Sequence, residues 1–171
     1  MGLSACSTSA PTRVEPTYDE AANNAFIASN KAAIDKLLAG VSRENVGQSA
    51  VLVATVVNVN DLSRAAPLGR TLSEQYASHL VANGLHVKEL KLRGDVFVKE
   101  GTGELLLSRE IKDIAKSHNA SVVLVGTYST AASVTYVSLK MVRTEDGRIL
   151  NGHDYALPND RDVQRLLQVP R

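Results

Sequence analysis

The sequence predicts an α/β domain built on a mixed sheet. We expect a parallel β-α-β-α-β core, extended by a C-terminal antiparallel hairpin and accompanied by an N-terminal helix and a short C-terminal helix. Two continuous apolar runs, 49–58 and 121–128, are rich in β-branched residues and too short for typical helices, which indicates strands covered on both faces. Segments with apolar residues at helical spacing separate these runs. After residue 133, apolar and polar residues alternate, as in strands with one buried face. This order implies right-handed crossovers and a parallel core.

Three amphipathic helices are expected around the sheet. The first spans 18–38 and stops at Gly40. The second begins at Pro67, a residue suited to the first helical position. The third follows a Gly-rich break at 99–104 and has Asn119 as its left-handed cap. Their apolar stripes are Phe26, Ile27, Ala33, Ile34, Leu37 and Leu38; Leu68, Leu72, Tyr76 and Leu80; and Leu107, Ile111, Ile114 and Ala115.

The remaining elements are a short strand and the C-terminal hairpin. Residues 86–92 alternate less regularly and are expected to form the second strand. Residues 134–142 and 148–157 alternate on either side of a turn at 145–147, which predicts an antiparallel hairpin. Asn159 or Asp160 then caps a short last helix that carries Val163, Leu166 and Leu167.

Length and composition limit the classes of function. A chain of 171 residues holds one domain of typical size and a tail. The 19 basic and 18 acidic residues leave a net charge of +1, so the chain has no strong positive electrostatic field that would attract nucleic acid. With no Trp, two Phe and five Tyr, the chain also lacks the aromatic platforms that bind single strands. We therefore expect no nucleic-acid partner.

The first residues resemble a lipoprotein processing site. The segment from Leu3 to Cys6, Leu-Ser-Ala-Cys, matches the end of a bacterial lipoprotein signal, although only two residues precede it. The Ser-, Thr-, Pro- and Ala-rich residues behind it are typical of a flexible tether, or else of a processing remnant. We therefore divide the chain into residues 1–17, a truncated signal remnant and tether, and residues 18–171, a single domain.

No standard catalytic motif occurs in the sequence. The nucleotide-binding P-loop, zinc-protease and hydrolase motifs are absent, and the four histidines lack metal-ligand spacing. Gly101-Thr-Gly103 begins like a dinucleotide fingerprint, but Leu106 stands where the third glycine belongs. Glu104 would also oppose a phosphate at that helix entry. We expect no enzymatic activity, no cofactor and no metal.

Two polar segments are candidate sites. Carboxylates around 153–162 could in principle support acid–base chemistry or a divalent ion, but turns and capping explain Asn159 and Asp160 more simply. A strand ending near Asn58 would place nearby polar side chains at the carboxyl edge of a parallel sheet, where open α/β folds bind ligands. The same residue types are common in loops, so both readings of the second segment stay open.

Four separated segments of the sequence occur in an order that matches a known family: VVNVNDLSRAAPLGRTLSEQ (56–75), GTGELLLSRE (101–110), VGTYS (125–129) and HDYALP (153–158). Together they resemble the FlgO family of bacterial envelope lipoproteins. The resemblance covers about residues 35–167.

The resemblance implies a domain similar to the amino-terminal domain of TolB, a lipid anchor in the outer membrane, and a role in motility and flagellar attachment. The implied partners are flagellar basal-body or outer-membrane components, and the implied location is periplasm-facing or surface-associated. Family members begin with a basic and then apolar signal, so this chain has either been cut inside that signal or been given a late start codon. If Leu3 to Cys6 is the end of a lipoprotein signal, Cys6 carries the lipid. The residue after it, Ser7, is not the aspartate that usually retains lipoproteins in the inner membrane, so delivery to the outer membrane is expected.

The family has no assigned catalytic residues, so none is transferred to this chain. The loops expected to contact a partner or ligand contain Asn58, Asn60, Asp61, Arg64, Gly101, Gly103 and Glu104. Two functions follow: a non-enzymatic structural or assembly lipoprotein of the flagellum, and alternatively a periplasmic ligand-binding module that uses these loops.

Overall fold

The structure of the chain is a computed structural model that describes residues 15–62, 66–90, 97–99, 105–107 and 109–168. The helices are α1 (Tyr18–Ala22), α2 (Ala25–Ala39), α3 (Arg43–Val46), α4 (Pro67–Ala82), α5 (Arg109–Ser117) and α6 (Arg161–Leu167). The strands are β1 (Ala50–Ala54), β2 (Val57–Asn58), β3 (Val87–Leu90), β4 (Phe97–Lys99), β5 (Leu105–Leu107), β6 (Ala120–Thr130), β7 (Val134–Arg143) and β8 (Ile149–Pro158).

The main sheet has the mixed topology that the sequence predicts. Its strands follow the order β3-β1-β6-β7-β8, and β2 lies beside β6. Strands β3, β1, β2 and β6 are parallel, whereas β7 and β8 extend the sheet as an antiparallel hairpin. Strands β4 and β5 form a separate antiparallel pair, which the sequence analysis did not predict. The predicted fold class is confirmed.

The two faces of the sheet are covered to different extents. Helices α2, α4 and α6 pack over one face, where Ile34, Leu72 and Leu139 are fully buried in the larger core. On the opposite face, Ile111 and Ala115 of α5 cover β1 and β6 in a smaller core. Among the described residues, this smaller core reaches the hairpin at Val142 of β7. Further along the same side of the hairpin, Tyr136, Asp154 and Ala156 are exposed, and this region is called the open face.

Three predicted boundaries are wrong. The first predicted helix is divided into α1 and α2, because Asn24 caps a new helix by accepting the Phe26 N–H at 2.9 Å. Leu107 belongs to β5, and the third predicted helix begins only at Arg109. The predicted strand at 49–58 is interrupted between β1 and β2.

This interruption is stabilised by α4. Ser73 Oγ accepts the Val56 N–H at 3.0 Å and donates to the Gly69 carbonyl at 2.7 Å. A Cβ at Gly69 would lie 1.9 Å from the Val56 carbonyl oxygen, so only glycine permits this approach of α4 to the segment between β1 and β2. The residues that follow Val56 are thereby fixed beside β6.

A buried polar network joins β8 to the helices. Tyr155 Oη donates to Asn30 Oδ1 at 2.5 Å, and Asn30 Nδ2 donates to Gln75 Oε1 at 2.7 Å. Tyr76 completes the network through a hydrogen bond between its hydroxyl and that of Tyr155. Asn30 is fully buried, so these bonds satisfy polar groups that would otherwise be costly to bury. The network fixes the position of β8 relative to α2 and α4.

Other predicted helix signals are confirmed. Pro67 occupies the first turn of α4, and Asn119 adopts the left-handed conformation with φ 50°. Asp160 caps α6 by accepting the Val163 N–H at 2.8 Å. Among the described residues, no helix has both the length and the apolar character needed to cross a membrane.

Candidate functional site

The loop predicted at the carboxyl edge of the parallel strands follows β2. Asn58 Oδ1 accepts the Asn60 N–H at 2.8 Å, and the Asn58 carbonyl accepts the Asp61 N–H at 3.1 Å. The structure therefore brings the three predicted polar residues together, but the Asn58 side chain is occupied in the turn itself. Between them, Val59 donates its N–H to the Tyr128 carbonyl at 2.9 Å and is 45% exposed.

Val59 forms one wall of a groove on the open face of the sheet. The groove has a volume of about 550 Å³. Strand register places Thr127, Ser138 and Asp154 in one cross-strand row, and Ser129, Tyr136 and Ala156 in the next. The Tyr136 side chain is 56% exposed, so an aromatic ring is available to a partner in the centre of this groove.

The polar groups in the groove are sparse. Ser138 Oγ donates to Asp154 Oδ1 at 2.5 Å, and the hydroxyls of Thr127 and Ser129 lie on the same face of β6. Asp154 is the only titratable carboxylate among the described residues that line this groove. Among the described residues that line the groove, no carboxylate is paired with a second carboxylate or a histidine.

The predicted polar cluster at 153–162 is divided between structural roles. His153 and Asp154 point to opposite faces of β8, because side chains alternate along a strand. The His153 ring stacks on Tyr155, with ring centroids 6.2 Å apart. Asn159 accepts a hydrogen bond from Thr135 at 2.7 Å, which together with helix capping by Asp160 confirms the structural interpretation of these two residues.

The other predicted site residues lie outside the described residues: Cys6, Arg64, Gly101, Gly103 and Glu104. In the described ranges, no group of three or more His, Cys, Asp or Glu side chains has an arrangement that could hold a metal ion.

Sequence reasoning missed the groove residues on the hairpin. Tyr136, Ser138 and Ala156 belong to ordinary alternating strands, and nothing in their local sequence distinguishes them from other solvent-facing positions. What identifies them as groove residues is the cross-strand register, which places them beside one another and beside Ser129 and Thr127 of β6. The turns and the buried face of the hairpin set the register of its strands. Which side chains lie next to one another in the groove is therefore known only from the paired strands.

Solved structures with the same fold support the topology. The C-terminal domain of LpoB from Salmonella enterica is 15% identical in sequence, with a TM-score of 0.57. The corresponding domain from Escherichia coli is also 15% identical, with a TM-score of 0.54. Each match covers 78% of this chain and 98% of the LpoB domain. At this identity the likeness shows the fold alone.

A family model described as FlgO protein matches residues 31–162, whereas the comparison with curated proteins found no match. Proteins of the FlgO family are non-catalytic structural or regulatory proteins, and the match to this family confirms the prediction that the chain is not an enzyme. It also supports a non-enzymatic outer-membrane lipoprotein with a location in the cell envelope. Because the matched range spans more than half of the chain and includes every strand of the main sheet, the chain belongs to the FlgO family.

Proposed function

We propose that the chain is an outer-membrane lipoprotein, anchored through Cys6, that acts as a structural and assembly factor for the flagellum. The observation that carries this proposal is the FlgO family match over residues 31–162. Flagellar basal-body or outer-membrane components are the partners that the proposal names.

The open face of the hairpin supports a role in protein contact. Tyr136 on the hairpin and Val59 at the wall of the groove are both exposed, and aromatic side chains are enriched among the residues that anchor protein interfaces. A groove with one carboxylate and several hydroxyls also offers hydrogen-bonding groups around an apolar centre.

Recovery of partners from the cell envelope tests the flagellar part of the proposal. The tagged protein is cross-linked in cells, isolated from envelope fractions and analysed by mass spectrometry. We expect flagellar ring or outer-membrane components, and a smaller yield from Tyr136→Ala. Val81→Ala is the matched control, because Val81 lies on α4 and has the same 56% exposure as Tyr136. Consistent absence of flagellar and outer-membrane components would contradict the proposal.

The anchor is tested separately. The chain is expressed with a complete lipoprotein signal that leads into Cys6, and cells are labelled with palmitate. We expect Cys6→Ala to lose both the label and membrane fractionation, because Cys6 is the only cysteine of the chain. Ser7→Ala is the control that should keep the label. Unchanged membrane fractionation of Cys6→Ala counts against an anchor at this residue.

A second function is supported by the groove itself. Its volume of about 550 Å³ falls within the range of small-molecule sites, and Val59 connects it to the predicted loop at 58–61. A periplasmic ligand-binding module would show a rise of several degrees in melting temperature with a small molecule, because a ligand that binds the folded state stabilises it. A thermal-shift screen of periplasmic metabolites without such a rise argues against this function.

A further inference from the structure

In the part of the chain that the structure describes, the outer edge of β8 is a free edge of the main sheet. The strand order ends at β8, which is ten residues long, and no described strand pairs with its outer side. Long free edges present unpaired main-chain donors and acceptors to which another extended chain can bind. The pairing of β8 with β7 decides which main-chain groups face outward at this edge.

The hydrogen-bond pattern identifies those groups. The Asn159 N–H donates to the Ser133 carbonyl at 2.9 Å, so these two residues form a hydrogen-bonded pair. Such pairs recur at every second position along antiparallel strands. The register therefore directs the N–H and C=O groups of Gly152, Asp154 and Ala156 away from β7 and towards the free edge. Pro158 faces the same edge as these three residues, but it has no N–H, so the row of outward donors ends at Ala156.

The free edge is continuous with the groove on the open face. Asp154 and Ala156 belong to both, since their side chains line the groove while their main-chain groups face outward. The Asp154 side chain is exposed, and no described residue donates to its Oδ2 atom. Next to it, Ala156 leaves space beside the exposed ring of Tyr136. A negative group and an apolar site thus lie two residues apart along one edge.

We propose that β8 binds an extended segment of a partner protein by strand addition, and that this segment carries a Lys or Arg opposite Asp154 and an apolar side chain, two residues away, opposite Ala156. Main-chain hydrogen bonds to Gly152, Asp154 and Ala156 supply affinity, and the two side-chain positions supply specificity. The spacing of two follows from the alternation of side chains in the added strand. The inference deepens the proposed function, on which it rests for the kind of partner.

The test uses the purified chain and a random library of 12-residue peptides displayed on phage. We expect enriched peptides to contain a basic and an apolar residue separated by one position. In fluorescence anisotropy with the enriched peptide, Ala156→Pro should weaken binding by about tenfold or more, because it removes an outward N–H and places a ring at the edge. Ala156→Gly, which keeps the N–H, is the control that should bind within about threefold of the wild type.

A second variant tests the charge without touching the main chain. Asp154→Asn keeps an acceptor for Ser138 but removes the negative charge, so it should no longer discriminate between the enriched peptide and its Lys→Met or Arg→Met analogue. Thermal unfolding shows whether each variant is folded, and Asp154→Asn decides the matter if Ala156→Pro is not.

Three results would overturn the proposal. These are an absence of enriched peptides, binding that Ala156→Pro and Asp154→Asn leave unchanged, and a concentration-dependent dimer that Ala156→Pro abolishes, which would make a second copy the occupant of the edge. The test contains no flagellar component, so its failure is distinguishable from a failure of the envelope cross-linking experiment.

Discussion

Replacement of Gly69 by alanine tests how α4 positions the loop after β2. The added Cβ would lie 1.9 Å from the Val56 carbonyl oxygen, and ordinary contacts begin near 3.4 Å. Helix and strand would therefore have to separate by about 1.5 Å at this point. The position of the new Cβ is fixed by the helix main chain and its neighbour is a main-chain carbonyl, so no side-chain rotation can relieve the contact.

The expected loss of stability follows from two opposing terms. Overpacking of a core costs about 1–3 kcal/mol, and a main-chain clash belongs at the upper end of that range. Alanine recovers about 1 kcal/mol through its higher helix propensity. We therefore expect Gly69→Ala to lower the free energy of unfolding by about 2 kcal/mol, and Tm by about 4–8 °C for a chain of this size.

Urea unfolding followed by circular dichroism measures this loss. Ser78→Ala, an exposed substitution on the same helix, is the control and should change the free energy of unfolding by no more than about 0.5 kcal/mol. The separation would also displace Val59, which forms one wall of the groove. A Gly69→Ala protein as stable as the wild type would refute the argument from close approach.

Three further predictions concern polar groups. Ser73→Ala leaves the buried Val56 N–H without its acceptor and should lower the free energy of unfolding by about 1–3 kcal/mol in the same assay. Burial raises the pKa of Tyr155 above its usual range, and burial followed by the nearby Tyr155 raises the pKa of Tyr76. Because both folded-state pKa values are raised, the stability contributed by the neutral hydroxyls is fully present below about pH 10 and is lost as the pH rises further. Tyr155→Phe should make this alkaline decline shallower in urea titrations between pH 8 and 11, and an unchanged slope would contradict the assignment. Asn151→Ala removes the amide that donates to a carbonyl in the last turn of α2 at 2.8 Å and should cost about 1 kcal/mol, whereas no change would show that water replaces the amide.

The fold could be predicted from the sequence because its strongest signals are local. The β-branched runs that became β1 and β6 are apolar at consecutive positions, as strands covered on both faces must be. Caps such as Pro67 and Asp160 act on neighbouring residues, so their effect can be read from the chain. The alternation of β7 and β8 likewise follows from burial of one face only.

One error, the continuous strand predicted at 49–58, arose where a distant contact changed a local preference. The run at 49–58 has the pattern of one continuous strand, yet Ser73 of α4 accepts the Val56 N–H and interrupts it. Gly69 shows no local reason to be glycine, since its role is to admit the Val56 carbonyl. Both effects join residues that are more than ten positions apart in the chain.

The sequence by itself determined the class of fold, the family resemblance and the absence of catalytic motifs, because these depend on the order and type of residues. Only the tertiary structure decided where a partner is expected to bind. The groove joins Val59, Thr127, Tyr136 and Asp154 from four segments, and the free edge at β8 exists because the sheet ends there. Such surfaces depend on strand order and register, which are set by how the hairpin packs on the core.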